Sequence, residues 1–480
     1  MSVEVPTSHR FPDNARAALA DATLQRGLAS AKLGFRVRRS EAAARLPEFE
    51  TLRDEARDIK NHVLAHLDLY LEAFEQRVTE RGGHVHWAGD AAAARDIVLA
   101  ICRAAGARTV TKGKSMISEE IGLNAFLEQN GVEPVETDLG EYIIQLRGEA
   151  PSHIIAPAFH VPKAEVAETF QKHHKSLDPA RPLEQPRQLL EEARAMLRDR
   201  FFAADVGITG ANFLIAETGA TVIVTNEGNG DLTQTLPRVH IVLASLEKVV
   251  PTLEDTSTIL RLLARSATGQ EFTSYTTFST GPRRGEDLDG PQEFHVVLLD
   301  NGRSDLIGTE LQEVLRCIRC GACMNHCPVF GVIGGHAYGW VYPGPIGAVL
   351  SPSLIGIEEA HHLPSASTFC GRCESVCPMR IPLPGLMRHL REREYGRGIP
   401  PAAQRWGLRA WAFLAKRPRL YRLATALPVR LLGLVGRRRG AFRRLPLAGG
   451  WTAERDLPAP QGPTFQALWN RAGGRRERPR

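Results

Sequence analysis

No apolar run in this 480-residue chain approaches the 18 or so residues that a membrane-spanning helix needs, so no span is expected. Met1 to Asn14 carries acid and proline but no apolar core, and a secretory signal is not expected either. The three spaced glycines that follow a strand in a dinucleotide fingerprint are missing. A flavin or nicotinamide, if the chemistry needs one, is therefore expected on a partner. Aromatics are sparse at 6%, and acids are sparse in one region. Residues 381–480 hold 22 Lys plus Arg against 5 Asp plus Glu, a net of +17, which leaves −11 for residues 1–380. Cysteine is scarce, eight in all, and the clustered set is an odd seven, so a disulfide framework is not expected. These absences suit a cytoplasmic protein with two or three cores.

The few cysteines are concentrated. Seven lie between residues 317 and 378: Cys317, Cys320, Cys323 and Cys327 before Pro328, then Cys370, Cys373 and Cys377 before Pro378. The first run has the C-x2-C-x2-C-x3-C-P spacing of a bacterial ferredoxin. Three thiolates two residues apart, on a tight loop containing Gly321, can converge on three irons of one cubane, and soft sulfur suits iron. The chain leaves at the proline, so the fourth cysteine serves the other cluster. Cluster one then takes Cys317, Cys320, Cys323 and Cys377, and cluster two takes Cys327, Cys370 and Cys373.

One ligand is missing from cluster two. The position equivalent to Cys317 in the second run is Ser367. Two 4Fe-4S clusters are expected, the second with Ser367 or an outside ligand at one iron, or reduced to 3Fe-4S. Structural zinc is the alternative for any CxxC pair, but seven thiols make an awkward zinc count. Lone Cys102, in an apolar run, reads as a core residue.

Along the chain, residues 14–80 read as helix, with Ile59, Val63, Leu67, Leu71, Phe74 and Val78 at spacings of three and four, ending at Gly82-Gly83. His62 and His66 are close enough to share a metal, though no further ligand completes a set. From His84 to about Asp300, strands alternate with helices, which argues for an α/β sheet covered on both faces. Strands are expected near 84–87, 109–111, 133–136, 153–156, 221–225, 239–244 and 294–299. Asp305 to Arg316 looks helical, and 42 residues separate Cys327 from Cys370. That long connection implies a mainly helical two-cluster module, with a helical piece near Ser353 to His362 and with Tyr338 and Trp340 shielding a cluster from water.

Three stretches of the α/β region look chemical. Thr111-Lys112-Gly113-Lys114-Ser115 imitates a phosphate loop, but Arg108 stands where that loop needs glycine; an anion at the following helix or a capping Ser115 with Glu119 behind it are the readings left. Gly207 to Phe213, Glu217-Thr218-Gly219 and Thr225 to Gly230 resemble the small, polar loops where open α/β sheets hold ligands. Glu217 and Glu227 are catalytic candidates there, and tight turns explain the neighbouring glycines and asparagines equally well. Glu136 to Tyr142, with His153 and His160 beyond, is either a proton-transfer site or a solvated turn.

The last hundred residues interleave Arg and Lys with Trp406, Trp411, Phe413, Tyr421, Phe442, Trp451 and Trp469. No nucleic-acid fold signature accompanies them, so nucleic acid is not the expected partner. Leu408 to Val435 suits an amphipathic surface touching acidic lipid or an acidic partner. Arg471 to Arg480 is expected to be disordered.

The combination resembles the lactate-utilisation B family of bacterial iron-sulfur proteins. The likeness rests on Lys114 to Glu120, Glu136 to Ile143, Gly207 to Phe213, Glu217-Thr218-Gly219, Thr225 to Asn229 and both cysteine runs, and it covers nearly the whole chain. It implies a helical segment at 1–69, a lactate-utilisation domain at 70–300 similar to the sugar-isomerase and CoA-transferase α/β fold, a helical ferredoxin module at 301–395, and a basic region at 396–480. It further implies electron relay in a three-protein complex that oxidises L-lactate to pyruvate. The expected partners are a second iron-sulfur protein and another protein with this domain, with a quinone-linked or peripheral-membrane acceptor downstream. Glycolate or another 2-hydroxy acid would leave the same cysteine signature.

Overall fold

Val239–Ser245 and Glu293–Leu299 are continuous apolar runs, and in a strand of period two such runs bury both faces. Ile241 and Leu243 pack on one side with Val98, Leu99 and Cys102, while Val242 and Ala244 pack on the other with Phe74 and Val78. Val297 and Leu299 join the first set, and Phe294, Val296 and Leu298 the second. Cys102 is thus a core residue, as its apolar run suggests.

The computed structural model describes residues 6–31, 34–445, 449–452 and 455–471. The strands are β1 (His84–Ala88), β2 (Thr109–Lys112), β3 (Glu133–Glu136), β4 (Val206–Gly210), β5 (Phe213–Ile215), β6 (Ala220–Thr225), β7 (Val239–Ser245), β8 (Val249–Val250), β9 (Tyr275–Ser279) and β10 (Glu293–Leu299). Six form a sheet in the order β1-β10-β7-β4-β2-β3, every pairing parallel. A smaller mixed sheet has the order β8-β5-β6-β9.

Several sequence expectations are corrected. The Gly207 to Phe213 stretch is largely strand, not loop. Gly207 is there because a Cβ would come within 1.8 Å of the Thr233 carbonyl oxygen. The expected strand at His153 to Ala156 is irregular: the amides of Ile155 and Ala156 donate to His153 Nδ1 at 3.0 and 3.2 Å, which folds the segment back on its own side chain. β9, Tyr-Thr-Thr-Phe-Ser, is mostly polar and gave no apolar run to read. The N-terminal helical stretch is five helices, Phe11–Ala20, Ala22–Ala31, Gly34–Ala44, Phe49–Ala65 and Leu67–Glu80, with the last break at non-helical His66. Asp305 to Arg316 contains two short 3-10 turns, Ser304–Leu306 and Gln312–Arg316. The piece near Ser353 to His362 is divided between Gly344–Leu354 and Ile357–Ala360, on either side of Gly356.

The chain forms two compact units, Met1–Glu394 and Tyr395–Arg480. Within the first, the N-terminal helices clasp the second cysteine loop. Buried Arg53 donates to the carbonyls of Ser375 and Cys377 at 2.9 and 2.7 Å, and buried Arg39 to that of Val376 at 2.7 Å. The second unit contains helices Ala402–Ala415 and Pro418–Gly436, a small antiparallel pairing of Ala441–Phe442 with Leu457–Pro458, and helix Phe465–Arg471. Residues 472–480, where disorder is expected, lie outside the described residues.

Candidate iron-sulfur centre

The two cysteine loops repeat one backbone device. Arg319 and Gly321, flanking Cys320, have φ of 59° and 70°; Phe369 and Gly371, flanking Cys370, have φ of 52° and 76°. Left-handed backbone at these paired positions curls each loop around its thiols, and only glycine adopts it without strain. The Arg319 amide donates to Cys317 Sγ at 3.4 Å. At the equivalent place the Phe369 amide donates to Ser367 Oγ at 3.1 Å. Short helices follow, Ala322–Asn325 and Arg372–Val376.

Electrostatics show which thiols stand together. Burial pushes the Cys320 thiol up to about 12, with Cys377 and Cys317 adding to the rise. Cys323 is raised well above an ordinary thiol by burial and then by Cys317, Cys320, Cys377 and Cys373. Cys373 is pushed up to about 12 by burial, Cys327 and Cys370. Cys377 is thus brought to the first run and Cys327 to the second. Cys370 is exposed, and its thiol is lowered, first by the Arg372 amide and then by the Thr368 hydroxyl. Crowded buried thiols repel one another as thiolates, so the donor set calls for bound positive charge, which iron supplies. Tyr338 is fully buried beside Cys327 and Cys323, and among the described residues its hydroxyl has no hydrogen-bond partner. Such an orphaned donor also fits a sulfide-containing group at that place.

Trp340 is placed elsewhere. It stacks edge-on against Tyr342 at 5.4 Å and lines a separate cavity with Glu119, Glu136 and Glu141. There Lys112 Nζ meets Glu119 and Glu136 at 2.8 and 2.7 Å, all but Glu119 deeply buried. Burial raises Glu136 to about 7 against the pull of Lys112. The acids of Glu136 to Glu141 are therefore mostly interior, not a solvated turn. Ser115 caps helix Met116–Glu120 by accepting the Ser118 amide, and Glu119 turns to Lys112 instead of completing a capping box. His62 bonds the Tyr70 hydroxyl at 2.9 Å.

A second cavity, of about 290 Å³, lies at the carboxyl ends of β2, β4 and β6 and extends to Arg319 and Cys320. Glu227 lines it, with its carboxyl raised by burial and by neighbouring Asp138. Glu217 does not; it is exposed and accepts the Leu253 amide at 3.2 Å. His153 is buried against Asn325, held low at about 4 by desolvation, and His160 pairs with Glu149 at 2.8 Å.

Sequence reading missed the ionic joint between sheet and cysteine loop. Buried Arg303 pairs with Glu120 at 2.6 Å and Glu247 at 3.1 Å, and Arg319 with Glu247 at 3.3 Å. These residues are far apart in sequence, and no local spacing signals them.

The sequence matches the LUD domain family over residues 71–299, the 4Fe-4S dicluster domain over 313–381 and the C-terminal domain of lactate utilisation protein B over 388–473. It is 44% identical to lactate utilization protein B of Anoxybacillus flavithermus over 92% of this chain and 94% of that protein. The chain belongs to the lactate utilisation protein B family. Within that family the Bacillus subtilis protein is 42% identical over 93% of each chain. An uncharacterized electron transport protein of Escherichia coli, YkgF, is 39% identical over 96% of each. The family's dicluster domain spans all seven clustered cysteines and supplies this chain with iron-sulfur clusters.

Proposed function

We propose that this protein is the electron-relay subunit of a complex that oxidises L-lactate to pyruvate. The supporting observation is the sorting of the thiols into two adjoining sets, one with no exposed thiol and one reaching the surface at Cys370. Cys317, Cys320, Cys323 and Cys377 would hold the inner cluster; Cys327, Cys370 and Cys373 would hold the outer one, a 4Fe-4S cluster completed by Ser367 or an outside ligand, or a 3Fe-4S cluster. The group's contribution when bound is one-electron storage at potentials set by charge, hydrogen bonds and exposure. The chain's own part is to bury the inner site beneath Arg39, Arg53 and Tyr338 and to expose the outer site at Cys370, where a redox partner can approach.

The names of the relatives favour lactate as the reductant. The partners in this reading are a second iron-sulfur protein and a second protein with the LUD domain, and the acceptor is quinone-linked at the cytoplasmic face of the membrane. An α/β domain that is itself catalytic on a 2-hydroxy acid is the second reading, favoured by Glu227 in the large cavity. To test the first, the chain is prepared anaerobically with its partner proteins and cluster reduction is followed by EPR on adding L-lactate. Reduction of both clusters is expected with partners present. Reduction by this chain alone, abolished by Glu227→Gln, transfers the case to the second reading, and no reduction in either preparation sinks both.

A further inference from the structure

Two buried cations line the large cavity with donors to spare. Lys248, between β7 and β8, is 7% exposed and lines the cavity; no hydrogen bond or ion pair is found for its ammonium among the described residues, and the opposite charges that act on it are Glu247 and the Cys317 thiol. Arg319, from the first cysteine loop, lines it too; one of its amino groups reaches Glu247, while buried Nη1 has no partner. A buried cationic donor left unpaired costs more than a paired one. Two of them against one cavity make a place for an anion. Of the clustered cysteines only Cys320 lines the cavity, which therefore adjoins the inner thiol set at that one residue.

We propose that this cavity is a binding site for a small organic carboxylate, held by Lys248 Nζ and Arg319 Nη1 beside the inner cluster. A carboxylate presents two oxygens, enough for one ammonium and one guanidinium donor. The remainder of the wall suits a short, hydroxylated chain. Ile154, Ile155 and Leu263 supply apolar surface, and Asn212, Asp138 and Glu227 supply polar groups for a hydroxyl or keto oxygen. The volume accepts a molecule of a few carbons. The proposal deepens the lactate reading and rests on it for the choice of 2-hydroxy and 2-oxo acids as occupants.

The test is equilibrium binding of 13C-labelled L-lactate and pyruvate to the full, cluster-loaded chain, read by NMR line broadening and by perturbation of the inner-cluster EPR signal. Acetate and inorganic phosphate are run alongside. Binding of the hydroxy or keto acid is expected, weakened about tenfold to a hundredfold in Lys248→Met, the loss of one charge-assisted hydrogen bond, and largely retained in Lys248→Arg. Cluster content and EPR line shape of unliganded Lys248→Met verify that it folds. If wild-type protein binds neither acid, or Lys248→Met binds them unchanged and only the cluster potential moves, the two cations merely balance cluster charge and the proposal falls. Phosphate binding as tightly as the carboxylates overturns the assigned class. Lactate-driven cluster reduction in the assembled complex is scored separately, so the site and the relay can fail independently.

Discussion

Ser367 occupies in the second cysteine loop the place that Cys317 occupies in the first: each side chain accepts the amide two residues on, from Phe369 and Arg319 respectively. An oxygen therefore stands where the repeat calls for sulfur. Ser367→Ala is expected to change the EPR and Mössbauer signature of the outer cluster alone, with one iron lost or loosely held. Ser367→Cys is expected to give a four-iron cluster that better resists oxidative loss of iron. A wild-type spectrum from Ser367→Ala would remove Ser367 from the ligand set.

The crossing of the fourth cysteines makes a second prediction. Cys377→Ala, though in the second run, is expected to abolish the inner cluster, and Cys327→Ala, in the first, the outer one. Iron and sulfide analysis with EPR assigns each loss. Loss of the cluster belonging to the mutated run would reverse the pairing.

Arg303 sits between Glu120 and Glu247 with 1% of its side chain exposed. Arg303→Met removes a cationic partner from two buried carboxylates, leaving Glu247 with Arg319 and Glu120 with Asn301 and Tyr342, and is expected to destabilise the chain by about 3 kcal/mol, measured by denaturant unfolding under anaerobic conditions. Burial opposes ionisation of Glu247, but Arg303 and Arg319 outweigh it and hold the carboxyl at about 2. A depressed carboxylate contributes stability in full above its unfolded value near 4.5 and loses it as pH falls toward 2. The acid limb of the wild-type stability profile is expected in that window, and Glu247→Gln should flatten it.

In the C-terminal unit, helix Ala402–Ala415 buries none of its residues, and Trp411, Leu423, Leu427 and Val435 are 63, 71, 64 and 76% exposed. Apolar side chains on an Arg-rich background suit an anionic lipid surface. Co-sedimentation of the full chain with phosphatidylserine vesicles is expected, weakening with salt and further reduced by the double substitution Leu427→Asp and Leu431→Asp. Equal binding to neutral vesicles, or none to either, would exclude this role.

The sequence alone determined what is local. Cysteine spacing and the glycines beside Cys320 and Cys370 encode the loops, because ligand convergence is decided within a few residues of chain. The alternation of strands with helices likewise announced a sheet covered on both faces. Tertiary structure decided the rest. His153 bent an expected strand onto its own ring, and Gly207, read as a loop glycine, proved to be close packing against Thr233. Burial, which no motif records, drew Lys112 into an acid pocket and set Lys248 and Arg319 on one cavity from positions 71 residues apart. Unpaired charge is a property of surroundings, and those surroundings exist only once the chain has folded.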